Sequence, residues 1–202
     1  MPKLLTVLTD LLFPPSPDAL RVKHTTPKQI ILCYEPGRYN KVTCLARYDN
    51  PLIQSALKEN KFYHNPHAAQ LLGTLLRQWS LTNDPRVAYL PIPLGPKRLR
   101  ERGHNQVVTL LHAAGLGSQT VTTLLERQIE TLPQSHLSKK DRAENIQHAF
   151  VYRGNKEWWQ AYDRVILIDD VVTTGATLMA ARAALAPHLS PHLKLDCVAL
   201  AH

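Results

Sequence analysis

The residues whose types and spacing could do chemistry cluster late in the chain: Asp169 and Asp170, then Thr173, Thr174, Gly175, Ala176 and Thr177. Two adjacent carboxylates precede a loop of small residues that carries hydroxyls and a glycine. Where such a loop opens a helix, the first backbone N–H groups have no partner inside the helix and the macrodipole adds partial positive charge, so an anion fits. Gly175 allows close backbone approach or a positive φ, and the threonine hydroxyls can donate to phosphate oxygens. The carboxylates would repel a bare phosphate, so they need sugar hydroxyls to accept from, or Mg²⁺ carried in by the ligand. A ribose 5-phosphate meets both demands.

A second cluster lies in residues 95–106, where Lys97, Arg98, Arg100 and Arg102 crowd a short loop. Arginine forks match phosphate oxygens bidentately, which makes Arg98 and Arg102 the natural pyrophosphate clamps. Lys97 and Arg100 are left to face solvent or nucleic acid.

Both clusters need elements to hold them. Val165, Ile166, Leu167 and Ile168 form a short apolar run, as expected of a strand covered on both faces in a parallel sheet, with the two acids where it ends. Residues 178–185 read as the helix after the loop. Residues 86–94 read as a strand whose exit is marked by Pro91 and Pro93, which puts the cationic loop at the same carboxyl edge as the acids. Helices are expected over 51–60, 65–79, 107–114 and 138–145, and further strands over 121–125, 148–153 and 193–200. Strands alternating with helices give an α/β fold with a mainly parallel sheet.

Upstream, residues 1–13 have the apolar spacing of a short amphipathic helix, prolines mark 14–29 as irregular linker, and 30–33 with 42–48 read as a hairpin around a turn at 35–38, on a small N-terminal lobe. The chain thus divides into a lobe over 1–45 and a main domain over 46–202.

With 202 residues at 44% hydrophobic, the chain can bury one substantial core. Its 24 Lys and Arg against 16 Asp and Glu leave a formal charge of +8, which favours an anionic partner such as a nucleotide, pyrophosphate or nucleic acid. Three scattered cysteines, Cys33, Cys44 and Cys197, make no disulfide framework and suit a reducing cytoplasm. The apolar opening is interrupted by Asp10 and closed by Pro14 and Pro15, too short to cross a bilayer, so membrane insertion is not expected.

Residues 165–177 resemble the phosphoribosyl pyrophosphate (PRPP) signature of type I phosphoribosyltransferases: four apolar residues, two acids, two apolar residues, then Thr-Thr-Gly-Ala-Thr. Thr173 stands where many purine-salvage members of that class carry an acid, which argues against a purine-salvage mechanism. Leu-Pro-Ile-Pro-Leu over 90–94, followed by Arg-Leu-Arg-Glu-Arg-Gly-His-Asn-Gln over 98–106, is similar to segments of the competence protein F (ComF) family, with His104 in place of the usual Phe. Tyr48, Leu57-Lys58, Arg127-Gln128, Gln134, Leu137-Ser138, Arg142, Asn145 and Ala149-Phe150 fall in that family's order, so the resemblance runs over about 45–200.

The resemblance implies a type I phosphoribosyltransferase-like fold that binds PRPP with Mg²⁺. The 5-phosphate would lie on Thr173, Thr174, Gly175, Ala176 and Thr177. Asp169 and Asp170, as the catalytic pair, would hold the ribose hydroxyls with Mg²⁺ near them but brought by the ligand, and Arg98 and Arg102 would take the pyrophosphate. Arg127, Gln128, Arg142 and Asn145 would either cover the site as a lid or brace the structure around it. Family members often begin with a four-cysteine zinc ribbon, but only Cys33 and Cys44 are present here, with His64 and His67 nearby, so structural zinc is not expected.

Three functional classes follow. The first is a ComF-like phosphoribosyltransferase acting in uptake, processing or utilisation of external DNA, alone or with DNA-uptake proteins. The second is a module binding single-stranded DNA through Lys97, Arg98, Arg100 and Arg102. The third is a PRPP-sensing regulator. Trp158 and Trp159 beside Tyr162 read either as a base-stacking platform or as core packing.

Overall fold

A computed structural model describes residues 15–82, 86–128 and 149–202. In chain order the helices are α1 (Pro17–Lys23), α2 (Pro27–Ile30), α3 (Pro51–Phe62), α4 (Pro66–Ser80), α5 (Pro96–Arg102), α6 (Gln106–Ala113) and α7 (Ala176–Leu185). The strands are β1 (Gly37–Tyr39), β2 (Val42–Ala46), β3 (Val87–Pro91), β4 (Leu125–Arg127), β5 (Phe150–Tyr152), β6 (Arg164–Val171) and β7 (Lys194–Ala201).

Five strands make one sheet in the order β1-β2-β7-β6-β3. β2, β7, β6 and β3 run parallel, and β1 is an antiparallel edge. The expected α/β class with a mainly parallel sheet is what forms. β6 and β7 are central, and their apolar runs are buried because helices cover both faces. On one face Ile166, Ile168, Val198 and Leu200 pack with Ile53, Leu72 and Leu110 of α3, α4 and α6. On the other, Val165, Leu167, Cys197 and Ala199 pack with Leu178 and Leu185 of α7 and with Trp159. Each fully buried aliphatic side chain contributes about 1.5–3 kcal/mol. At the crossing of α4 and α6, a Cβ on Gly73 would come within 3.0 Å of the Ala113 backbone, so a glycine there lets the helices meet.

Several local expectations are corrected. Within the stretch expected as linker, the described residues 15–29 are largely helical. Pro17 and Pro27 occupy the first turns of α1 and α2, where a missing N–H costs nothing, and Ser16 and Thr26 cap them. Residues Ile31–Cys33 form a 3-10 turn rather than a strand, and the hairpin turns at Asn40 and Lys41, both at positive φ, not at 35–38. That hairpin belongs to the main sheet, since β2 pairs with β7. The strand expected over 121–125 begins at Leu125 and forms with β5 a separate two-stranded ribbon.

Trp159 is buried in the core and Trp158 stacks on Tyr162 at 5.4 Å, so this group packs rather than presenting an open platform. The helices expected over 1–13 and 138–145 lie outside the described residues. Among the described residues no helix is long and apolar enough to cross a membrane.

Candidate functional site

β6 runs through Val171, so both acids lie within the strand rather than after it. Side chains alternate across a strand, and the two carboxylates accordingly serve opposite faces. Asp170 faces α3 and α6. Its Oδ2 accepts from Gln106 Nε2 at 3.1 Å and lies 3.4 Å from Lys61 Nζ. Asp169 joins Val171, Val172 and Thr173 through Leu178 around a shallow hollow of about 40 Å³, room for one small tetrahedral group. Each carboxylate also accepts from the next backbone N–H, Asp169 from Asp170 and Asp170 from Val171, both at 2.9 Å.

Burial pushes the Asp169 carboxyl above the usual carboxylate range, and the charge of Asp170 adds to it; the Asp170 N–H and Lys61 act the other way. Asp170 has Lys61 and Gln106 as its side-chain partners. Among the described residues no three His, Cys, Asp or Glu side chains converge; the oxygen donors beside the loop are the two carboxylates, the kind of group a hard divalent cation takes.

The loop has the conformation its sequence calls for. Gly175 sits at φ +79° as the N-cap of α7 and itself offers the helix no side-chain cap. Thr174 Oγ1 accepts from Ala176 N–H at 3.3 Å. The β1–β2 turn abuts the loop, with Asn40 Nδ2 donating to the Thr174 carbonyl at 3.3 Å. The 5-phosphate candidates Thr173 to Thr177 line one hollow with Asp169.

The cationic segment is not a loop. Pro96 starts α5, and Gly103 ends it at φ +72°. Lys97, Arg98 and Arg100 are exposed on this short helix, whereas Arg102 is half-buried. Arg102 is drawn to the acids through Gln106: its Nη1 donates to Gln106 Oε1 at 2.9 Å, and its guanidinium lies over the Phe62 ring at 5.4 Å. Burial lowers its pKa, with Asp170 acting in the opposite direction and Arg98 reinforcing the drop. Asn105 caps α6 and donates to the Ile92 carbonyl at 2.9 Å, fixing the segment to the end of β3. The His104 ring lies against that of His64, tilted by 39° with centroids 3.8 Å apart, so an aromatic ring still packs at this position.

The remaining candidates are elsewhere. Arg127 ends β4 with its guanidinium over Phe150 at 5.5 Å, and Gln128 N–H donates to the Ala149 carbonyl at 3.0 Å; both brace the ribbon. Arg142 and Asn145 lie outside the described residues. Asn50 Nδ2 donates to Cys33 at 3.5 Å, Cys44 is buried in β2, and His67 Nε2 is 2.9 Å from the Thr25 carbonyl.

Lys61, Gln106 and Asn40 were not singled out from sequence as site residues. Gln106 stands inside the quoted Arg-Gly-His-Asn-Gln segment, and a carboxylate partner could have been sought there. Lys61 follows Lys58 and Gln54 at helical spacing, which is the signal that one face of α3 points to a common neighbour.

No protein-family model matches the chain. It is 33% identical over 151 residues to competence protein F of Haemophilus influenzae, covering 71% of this chain and 65% of that protein. It is also 36% identical over 90 residues to competence protein ComFC of Streptococcus pneumoniae, covering 45% of this chain and 37% of that protein. The chain therefore spans just under two thirds of the first relative and well under half of the second.

Proposed function

We propose that this chain, which belongs to the competence protein F family, binds PRPP with Mg²⁺ on a type I phosphoribosyltransferase-like fold at the carboxyl edge of its sheet. The observation that carries this reading is the shared hollow of Asp169 and the Thr173–Thr177 loop, with Asp170 held on the opposite face by Lys61 and Gln106. In it the 5-phosphate lies on the loop and the ribose hydroxyls donate to the acids, while Arg102, aided by Arg98, faces the pyrophosphate. Mg²⁺ supplies charge neutralisation of the pyrophosphate. The residues of the chain do the rest: Asp170, and Asp169 in its ionised form, favour positive charge developing on the sugar, and the half-buried Arg102 favours negative charge on the leaving group.

The relatives are competence proteins, which supports a role in uptake, processing or utilisation of external DNA. Calorimetric titration of the full chain with PRPP and Mg²⁺, beside Asp169→Asn and Asp170→Asn, tests the site. Saturable binding that weakens at least about tenfold in either variant is expected; no binding by the unaltered chain removes the reading.

A second reading, direct binding of single-stranded DNA, is favoured by the exposure of Lys97, Arg98 and Arg100 together on α5. PRPP sensing without turnover uses the same pocket and would appear as binding with no release of pyrophosphate.

A further inference from the structure

The β1–β2 hairpin stands upstream of residues 45–200, over which the family resemblance runs, yet its tip lies against the Thr173–Thr177 loop. It turns on two residues, Asn40 at φ +45° and Lys41 at φ +68°, between the paired Tyr39 and Val42. Two left-handed residues are the geometry of a tight two-residue hairpin, in which asparagine is favoured at the first place and glycine at the second. Lysine seldom adopts such a φ, so the tight turn is held against a conformational cost. A Cβ added to Gly175 would come within 3.8 Å of the Asn40 Cβ and 3.9 Å of Val42. The Tyr39 ring rests against that of His202, with centroids 3.5 Å apart, which fixes the hairpin to the end of β7.

Asn40 Nδ2 donates to the Thr174 carbonyl at 3.3 Å. In a trans peptide the carbonyl and the N–H that follows it point in opposite directions. With the Thr174 carbonyl turned to the hairpin, the Gly175 N–H is turned away from it. No described residue accepts from the backbone N–H of Thr173, Thr174 or Gly175. Because glycine takes either sign of φ, the Thr174–Gly175 peptide has a second orientation open to it. In that flipped form a carbonyl oxygen replaces the N–H, and it would repel an anion.

We propose that Asn40 is a positioning residue for a phosphate monoester in this loop: its amide holds the Thr174–Gly175 peptide with the carbonyl outward, leaving the Gly175 N–H to the anion. The inference rests on the phosphate reading of the loop and requires no contact between Asn40 and the ligand. A residue serving the hairpin alone would need only a left-handed backbone, which glycine supplies freely. The side-chain donor is what separates the two roles.

The test is titration of the full chain with PRPP and Mg²⁺ by calorimetry, and with inorganic phosphate by phosphorus NMR, beside Asn40→Gly and Asn40→Asp. Asn40→Gly keeps the turn and loses the donor, so it should weaken both ligands by at least about threefold, the change expected of one neutral hydrogen bond. Its thermal unfolding should be unchanged or raised, which a purely structural loss would not give. Asn40→Asp should weaken both ligands further, since its carboxylate faces the Thr174 carbonyl and cannot donate. Without ligand, the NMR shift of the Thr174 carbonyl carbon should move in Asn40→Gly. An unmoved shift, or Asn40→Gly binding both ligands as the unaltered chain does, overturns the proposal and leaves the PRPP reading standing. Phosphate binding that weakens in Asn40→Gly, without PRPP binding, removes the PRPP reading alone. If the unaltered chain binds neither ligand, both fall.

Discussion

Gln106 Nε2 donates to Asp170 Oδ2 at 3.1 Å while its Oε1 accepts from Arg102 at 2.9 Å, so one buried amide ties an acid of β6 to a cation of α5. An amide is suited to this bridge because it carries a donor and an acceptor on one planar group. Gln106→Ala should leave Asp170 Oδ2 with Lys61 and take from Arg102 its bond to the amide, costing about 1–3 kcal/mol for the buried groups left unsatisfied. Gln106→Glu should cost more than Gln106→Ala near neutral pH, since it sets a second carboxylate against Asp170. Denaturant unfolding measures both, and equal stability of the glutamate variant and the unaltered chain would show that the bridge is not formed.

Asp169 should make stability fall with pH. Its folded carboxyl is pushed up to about 8, chiefly by burial. Below about pH 4 both folded and unfolded chains hold the proton, so nothing is lost there. Between about pH 4 and 8 the unfolded chain ionises first, the folded state binds more protons, and stability declines until the folded group ionises too. Asp169→Asn keeps an acceptor for the Asp170 N–H and removes this slope. The variant should therefore gain on the unaltered chain by up to about 5 kcal/mol at pH 8 relative to pH 4, while losing PRPP affinity. Thermal unfolding at the two pH values checks it; parallel curves would place the carboxylate in water.

The two acids also mark how much of this molecule is legible in one dimension. The apolar run ending in Asp169 and Asp170 identifies β6, and Thr-Thr-Gly-Ala-Thr identifies the turn into α7, because these depend on local backbone chemistry. Even the split of the acids across the sheet follows from strand alternation once the strand is extended through Val171. Lys61 and Gln106 are different: they reach Asp170 from helices that are distant in sequence, and nothing local distinguishes them from other polar helix residues. Prolines misled in the opposite direction. Pro17, Pro27 and Pro96 interrupt a pattern when read as breakers, yet each occupies a first helical turn.

Gly175 should be sensitive for conformational rather than steric reasons. It lies at φ +79°, and an added Cβ would meet nothing nearer than 3.6 Å. Gly175→Val should cost about 1–2 kcal/mol from the left-handed backbone, and should weaken PRPP through the displaced loop. Gly175→Asn, which tolerates that conformation better, should recover part of both losses. If valine and asparagine behave alike in unfolding and in titration, backbone conformation is not what the position requires.

The exposed cations of α5 separate nucleic-acid binding from PRPP binding. Lys97, Arg98 and Arg100 are exposed, whereas Arg102 is half-buried and tied to Gln106. Contacts between exposed cations and single-stranded DNA release counterions, and the slope of log affinity against log salt falls by about 0.7 for each phosphate contact removed. Replacing Lys97, Arg98 and Arg100 together by alanine should lower that slope by about 2 if all three meet the strand. In the proposed site Arg98 aids Arg102 at the pyrophosphate, so PRPP affinity should drop modestly in the triple variant and be unchanged in Lys97→Ala/Arg100→Ala. Fluorescence anisotropy with a labelled oligonucleotide over a salt series, beside PRPP titration of the same variants, resolves the two. An unchanged DNA slope in the triple variant would remove α5 as the nucleic-acid surface.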